Sequence, residues 1–304
     1  MSTVVTGAAG FLGRSLVELL LARGEPVIGV DRRPVPPRPG LAVLTADLAH
    51  PDERVANALA RADRVFHLAG LPGVRDNCPP QQRHRDNVVA TERLLAVVPA
   101  RTPVVFTSSS SVYGGAAGGR PSSERDPLRP RGGYARSKLA AERRCRARLA
   151  AGGRVVIARP FTVAGPHQRP DMALARWIDA AARGRPVRVF GSPDRTRDIT
   201  DVAQVAQALV ALADREVRGT VNLGTGVGHR LTELVAAVAA ALDVAVRTEI
   251  VPAHPDEVPD TLADPTRLRR LIGWVPETDL AELVARQVAA ARAGRPAPAL
   301  AGPA

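Results

Sequence analysis

The sequence predicts an α/β chain, a doubly wound parallel sheet followed by a smaller C-terminal α/β lobe. Three observations predict it. Short apolar runs alternate with helical stretches through the first half of the chain. Glycines 7, 10 and 13 stand where the first run gives way to the first helix. After about Pro160 the alternation changes to shorter strands between isolated helical stretches.

Taken in order, Ser2 to Thr6 reads as a short apolar strand running into Gly7-Ala-Ala-Gly10-Phe11-Leu12-Gly13. A helix follows with Leu16, Leu19 and Leu20 on one face, and Gly24 stops it. The next strand, Val27 to Val30, ends in Asp31 and closes a strand–helix–strand unit. Further buried strands are expected at Leu41-Leu44, Arg64-Leu68, Val104-Thr107 and Val155-Ala158. Helices are expected between them at Pro51-Ala62, Asn87-Val98 and Tyr134-Ala151. Beyond Pro160 the pattern predicts helices at Met172-Arg183 and Leu231-Leu242, with strands at Val187-Phe190, Val221-Leu223 and Arg247-Val251. The division that follows is a sheet domain over 1–160, to which segments near 198–225 return. The smaller lobe covers 161–295, and 296–304 is a Pro/Ala/Gly-rich tail.

Composition excludes several classes. With 45% hydrophobic and 24% charged residues the chain is globular, and with 3% aromatics its core must be Val, Leu, Ala and Ile. No run of about twenty apolar residues is present, so no membrane span is expected. The start shows strand and turn residues instead of a leader pattern. Cys78 and Cys145 lie far apart and away from any histidine cluster, which predicts neither a disulfide framework nor a metal site and suits a reduced cytoplasm. A net charge of +12 raises nucleic acid as a partner. The arginines are dispersed, however, with pairs only at 32–33, 143–144 and 269–270, and stacking aromatics are nearly absent. No nucleic-acid partner is expected; a phosphate-bearing substrate accounts for part of the charge.

The glycines at 7, 10 and 13 follow a strand and open a helix, the context in which a glycine-rich turn cradles a pyrophosphate. Asp31, at the end of the second strand, can accept hydrogen bonds from both ribose hydroxyls and would repel a 2′-phosphate. This favours NAD over NADP, although Arg32 and Arg33 stand where an arginine could hold that phosphate. Asp47 and Leu48, after the third strand, are placed to meet the adenine.

Of the 42 basic residues a single one, Lys138, is lysine, and one of only two tyrosines precedes it by four. Residues four apart share a helix face, so Tyr134 and Lys138 put a phenol beside an ammonium. A nearby cation lowers a phenol pKa and makes it usable as a general base near neutral pH.

Together these segments resemble the extended short-chain dehydrogenase/reductases of the nucleotide-sugar epimerase/dehydratase branch. The resemblance rests on Thr6 to Gly13, Asp47-Leu48, His67-Leu68-Ala69-Gly70, Thr107 to Gly114, Tyr134-x-x-x-Lys138, Arg159 to Pro166, Arg197 to Val202 and Asn222-Leu-Gly224. It implies a Rossmann domain binding NAD, with Leu68 and Ala69 also lining the cofactor, and a C-terminal lobe binding a nucleotide sugar. It further implies oxidation at C4 of the sugar. Tyr134 would take the C4 hydroxyl proton, Lys138 would hold the ribose, and Ser109 would bond the same sugar oxygen. Family members often pair through a four-helix interface, which here would use Asn87-Val98 and Tyr134-Ala151.

The stretch Phe161-Thr-Val-Ala-Gly-Pro-His-Gln-Arg-Pro-Asp-Met172 is similar to the UDP-glucuronate 4-epimerases. That likeness implies that Thr162 and Arg169 hold the sugar carboxylate, a pairing that suits an arginine and a hydroxyl donor. It also implies that Gly73, Val74 and Arg75, with Ser110 and Ser111, line the sugar. Arg197 would meet the diphosphate, and Val189 and Phe190 would flank the uracil. The dehydratase and decarboxylase branches carry acids where this chain has Ser110-Ser111, and a hydroxyl is a poor replacement for a carboxylate base. The expected reaction is therefore 4-epimerisation of UDP-glucuronate. A decarboxylase acting on the same substrate, a UDP-glucose 4-epimerase and a non-catalytic NAD(P)-binding relative are the alternatives, and dTDP sugars stay open. Ala164, His167 and His254-Pro-Asp-Glu257 depart from the family pattern.

Overall fold

Strands β1 (Thr3–Thr6), β4 (Arg64–His67), β5 (Val104–Thr107) and β6 (Val155–Pro160) are buried along their whole length. Continuous burial is what a parallel sheet covered on both faces demands, which is why these segments are mostly apolar in place of alternating. The computed structural model describes residues 2–73 and 78–293. Its central sheet has seven strands in the order β10-β6-β5-β4-β1-β2-β3, every neighbouring pair parallel. Strands β2 (Val27–Asp31) and β3 (Leu41–Thr45) form one edge, and β10 (Gly219–Leu223) the other.

Helices cover both faces. On one, α1 (Phe11–Ala22), α7 (Val202–Asp214) and α9 (Thr266–Ile272) bury Leu16, Leu20, Leu209, Leu212 and Leu268 against Val5, Phe66 and Val156. On the other, α2 (Glu53–Ala60), α4 (Ala90–Val97) and α5 (Gly132–Ala150) bury Leu59, Leu94, Ala141 and Cys145 against Val4, Val65 and Phe106. Fully burying one such leucine stabilises the fold by about 1.5–3 kcal/mol, so these two layers hold the sheet rigid beneath whatever binds at its edge.

The order of strands reverses between β1 and β4. In open α/β sheets, ligands bind in the crevice at such a switch point, outside the carboxyl ends of the strands. The remaining residues make a three-stranded sheet, β11-β9-β7, from Gly228–Arg230, Thr196–Asp201 and Thr162–Ala164, and a two-stranded one, β12-β8, from Thr248–Val251 and Val187–Phe190. These pack with α6 (Ala173–Ala181), α8 (Leu231–Leu242) and α10 (Leu280–Ala293) around Trp177, Val189, Val238, Leu283 and Val288.

Two expectations change. The helix expected to begin at Asn87 begins at Pro80: α3 (Pro80–His84) runs through a π-helical turn, Arg85–Val89, into α4. Its first turns are polar (Pro-Gln-Gln-Arg-His-Arg-Asp) and give no apolar stripe to read. Helices α7, α9 and α10 were not anticipated; of these α7 is the longest buried one. It is alanine-rich and buried on most sides, behind the short strand β9. The expected tail, 296–304, lies outside the described residues. Among the described residues no helix is long and apolar enough to cross a membrane, and no cluster of His, Cys, Asp and Glu could hold a metal ion.

Candidate active site

The glycine turn joins β1 to α1 at the switch point. Gly7 has φ +74°, and a Cβ on it would lie 2.7 Å from Ala69 N. A Cβ on Gly13 would stand 2.0 Å from Gly7 O, so only glycine lets α1 come this close to the strand end. Gly10 is the N-cap of α1 and offers no capping side chain. The first N–H groups of the helix therefore lack a side-chain partner and are suited to an anion. A Cβ on Gly70 would lie 2.9 Å from Asn87 Oδ1 and 3.4 Å from Lys138 Nζ, filling the cradle from the β4 side.

Asp31 ends β2 with its carboxylate turned toward the turn, accepting from Ala9 N at 3.0 Å and Arg33 N at 2.9 Å. Arg32 donates through both Nη atoms to Asp86, at 3.2 and 2.9 Å. Asp47 accepts from Ala49 N at 2.9 Å and pairs with Arg85. Burial alone would raise its carboxyl pKa, but these partners outweigh burial and hold it below the usual carboxylate range. Leu48 lies in the core, and Phe11, Leu12, Leu68 and Ala69 are half-buried around the turn. Uncapped donors, close-approach glycines and a carboxylate at the end of β2 fit a dinucleotide.

Tyr134 and Lys138 both lie on α5, as their spacing predicts, but the electrostatics differ from expectation. Burial holds the Tyr134 phenol above its ordinary pKa; a hydrogen bond with the Ser109 side chain and the charges of Arg169 and Arg83 pull downward without cancelling it. The Lys138 Nζ donates to Thr107 O at 2.9 Å and sits 5.3 Å from the centre of the Phe106 ring. Burial pulls the Lys138 ammonium itself down to about 8. The expected lowering of the tyrosine is thus corrected: burial of the phenol outweighs the groups that pull it down. The other tyrosine, Tyr113, is pushed up to about 12 by burial, and its hydroxyl donates to Asn222 Oδ1 at 2.7 Å.

Ser109 caps the 3₁₀ turn Ser110–Tyr113 and accepts from Ser111 N at 3.2 Å. Ser110 and Ser111 lie half-buried in that turn, and Ser111 Oγ is buried without a protein partner. Thr162 opens β7 and is half-buried. Arg169 is within electrostatic reach of Tyr134, yet its Nε and Nη2 donate to Asp171 at 2.9 and 2.8 Å. Arg197 donates to the carbonyls of Thr196, Pro259 and Val258 at 2.8, 2.6 and 2.9 Å. Val189 is buried in the core of the smaller lobe, leaving half-buried Phe190 as the side chain of that pair with an open side. Gly73 O accepts from Arg83 at 3.0 Å; Val74 and Arg75 fall outside the described residues.

Several structural partners were not anticipated. Glu142 and Arg159 are fully buried and joined through both carboxylate oxygens at 2.8 and 2.7 Å, and Ser108 Oγ donates to Glu142 at 2.6 Å. Arg159 also reaches Tyr113 OH at 2.8 Å. A charge inside an otherwise apolar strand, Val-Val-Ile-Ala-Arg159-Pro, was the available signal, because a buried charge needs a partner. Asn87 fastens the loop after β4 through Leu71 N and O at 2.6 and 3.1 Å and donates to Ser137 at 2.8 Å.

The family profile described as NAD dependent epimerase/dehydratase family matches residues 3–224. The solved structure of MoeE5 in complex with UDP-glucuronic acid and NAD is 38% identical, covers 96% of this chain and 99% of its own, and superposes with a TM-score of 0.88. The UDP-glucuronic acid 4-epimerase of Bacillus cereus, solved with UDP-glucuronic acid and NAD, is 26% identical with a TM-score of 0.89, covering 96% of this chain and 99% of that one. The UDP-glucose 4-epimerase of Mycolicibacterium smegmatis is 33% identical over 95% of this chain and 97% of its own length. The match over most of the chain, on a sheet whose switch point carries the dinucleotide cradle, makes this protein an enzyme of the NAD dependent epimerase/dehydratase family, with NAD as its cofactor.

Proposed function

We propose that this enzyme interconverts UDP-glucuronate and its 4-epimer. The observation that carries the reading is Arg169, a guanidinium near enough to Tyr134 to act on its phenol, downstream of the Thr162 hydroxyl on β7. A fork of N–H donors near the tyrosine, together with a hydroxyl on β7, suits a sugar carboxylate at C5 when C4 lies at the tyrosine. MoeE5 has been solved with UDP-glucuronic acid and with UDP-glucose, so the likeness fits this substrate and leaves the choice to Arg169.

In this reading Tyr134 Oη accepts the proton of the C4 hydroxyl, and the Ser109 hydroxyl hydrogen-bonds the same sugar oxygen. NAD, when bound, supplies the acceptor for the C4 hydride and its return to the opposite face. Lys138, fixed by Thr107 O, presents a cation beside Gly70, where the cofactor ribose would lie. Ser110 and Ser111 offer hydroxyls and no carboxylate, so no side chain of that turn can serve as a base at C5. The 4-keto sugar is then returned by Tyr134 giving back its proton, and epimerisation follows in place of dehydration.

UDP-glucose is the second reading, and Asp171 favours it. A protein carboxylate already occupies the Nε edge of Arg169, and a neutral sugar makes no demand on that residue.

Incubation with UDP-glucuronate and NAD, followed by mass spectrometry and proton NMR, tests the proposal. Unchanged mass with a new axial C4 signal is the expected result. Loss of CO₂ would make the enzyme a decarboxylase, and turnover of UDP-glucose alone would move the assignment to the second reading. Arg169→Ala should raise KM for UDP-glucuronate by about tenfold to a hundredfold, the scale of a charge-assisted hydrogen bond, and leave UDP-glucose turnover nearly unchanged.

A further inference from the structure

Arg32 follows Asp31 directly, at the point where an arginine can hold a ribose 2′-phosphate. In this chain it is already engaged. Its two Nη atoms donate to the two oxygens of Asp86 at 3.2 and 2.9 Å. The Asp86 side chain is 2% exposed, against 45% for Arg32. Asp86 Oδ1 also accepts from Arg85 at 2.7 Å, and Arg85 pairs in turn with Asp47. An alternating row, Arg32–Asp86–Arg85–Asp47, therefore runs from the end of β2 to the loop after β3. Arg85 and Asp86 both sit on the π-helical turn, a local irregularity of the kind often found at functional sites.

We propose that Asp86 is a positioning residue for cofactor selectivity, holding Arg32 off the 2′ position so that the chain reads ribose hydroxyls through Asp31 and rejects NADP. Moving Arg32 onto a phosphate would break both of its charge-assisted hydrogen bonds to Asp86 and leave that buried carboxylate with Arg85 alone. The neighbouring arginine does not substitute for it. Arg33 donates its N–H to Asp31 at 2.9 Å, and its Nε lies 3.6 Å from the same oxygen. Selectivity then has two parts, the repulsion by Asp31 and the capture of Arg32 by Asp86. The inference concerns the cofactor and is independent of which sugar is bound.

The test is direct binding of NAD and NADP by isothermal titration calorimetry, with folding of each variant followed by circular dichroism. A D31N background removes the repulsion by Asp31. Adding D86N should tighten NADP about tenfold or more, the scale of one charge-assisted hydrogen bond, while NAD changes less than about threefold. Adding R32A to that pair should erase the gain. The proposal is overturned if D86N leaves NADP binding unchanged, tightens both dinucleotides equally, or keeps its gain without Arg32. Where D86N does not fold, R32A in the D31N background decides: no more than about a twofold change in NADP affinity is expected, whereas a tenfold loss would mean that Arg32 already reaches the phosphate.

Discussion

His67 ends β4 inside a row of hydrogen bonds whose directions can be worked out. Thr91 Oγ1 donates to Asn87 O at 2.7 Å, so it accepts from His67 Nε2 at 2.9 Å. On the other side Ala69 N donates to Thr6 Oγ1 at 3.3 Å, and that hydroxyl donates to His67 Nδ1 at 2.8 Å. The ring is therefore neutral, with its proton on Nε2. A second proton on Nδ1 would set two donors face to face and place a charge in a fully buried site near Lys138. Burial first, and Lys138 second, push the imidazole down to about 3 from an ordinary 6.5.

The sign follows from linkage. Between pH 6.5 and 3 the unfolded chain binds a proton that the folded chain refuses, so stability falls as pH drops through that window. At 1.36 kcal/mol per pKa unit, the neutral site contributes about 5 kcal/mol at pH 7, of which about 3 is lost by pH 4. Urea unfolding of the wild type and of His67→Gln at both pH values is the assay. Carboxylates titrate in both proteins, so the difference between them isolates the histidine. The gap between the two should narrow by about 3 kcal/mol on going from pH 7 to pH 4. A gap constant within about 0.5 kcal/mol would refute the neutral buried ring and with it the derived proton directions.

Three further outcomes are expected. Tyr134→Phe should lower kcat by about 10²–10⁴, the usual worth of a general base, and leave the NAD dissociation constant unchanged in calorimetry. Gly13→Ala would force a Cβ to within 2.0 Å of Gly7 O and should cost both stability and NAD affinity, by about 1–3 kcal/mol in thermal unfolding. The control is Gly24→Ala, where nothing lies within 4 Å and only the φ of +75° is strained. Glu142→Gln turns an amide donor toward Arg159 in a fully buried pair and should destabilise by about 3–5 kcal/mol in urea, with a smaller loss for Ser108→Ala.

Much of the sheet was legible because parallel strands buried on both faces are apolar at most of their positions, with polar residues such as Arg64, His67 and Arg159 as the exceptions. The positions of β1, β2, β5 and β8 follow from the apolar runs to within a residue, and the glycine turn from its place between strand and helix. Polar segments resisted reading for the opposite reason. Pro80–His84 and the π turn are held by charges and amides from other parts of the chain: Arg32 for Asp86, Leu71 and Ser137 for Asn87. Nothing local in the sequence names those partners. The same holds for Asp198, whose carboxylate collects Thr225 N, Gly226 N and Ala263 N at 2.9, 3.0 and 3.0 Å and so ties β9 to two loops. Legibility thus follows the range of the interaction. Periodic burial is written locally, and buried polar pairing is not.

The single lysine shows where a local signal was right in position and incomplete in physics. Its place four residues after Tyr134 predicted a shared helix face and a lowered phenol. The structure gives Lys138 a buried pocket with one carbonyl, one aromatic face and Gly70 around it, 6% exposed. A planar guanidinium carries five donors and would leave most of them unmet in that space, whereas an ammonium is a compact point charge. Arginine also keeps its proton at any ordinary pH. The buried lysine, held at about 8, is a cation at neutral pH and begins to lose its charge within reach of physiological conditions. A chain that uses arginine at every other basic position therefore has a physical reason to use lysine here. The site needs a compact cation with few donors to satisfy, even though an ammonium gives up its solvent at a cost that the lowered pKa records.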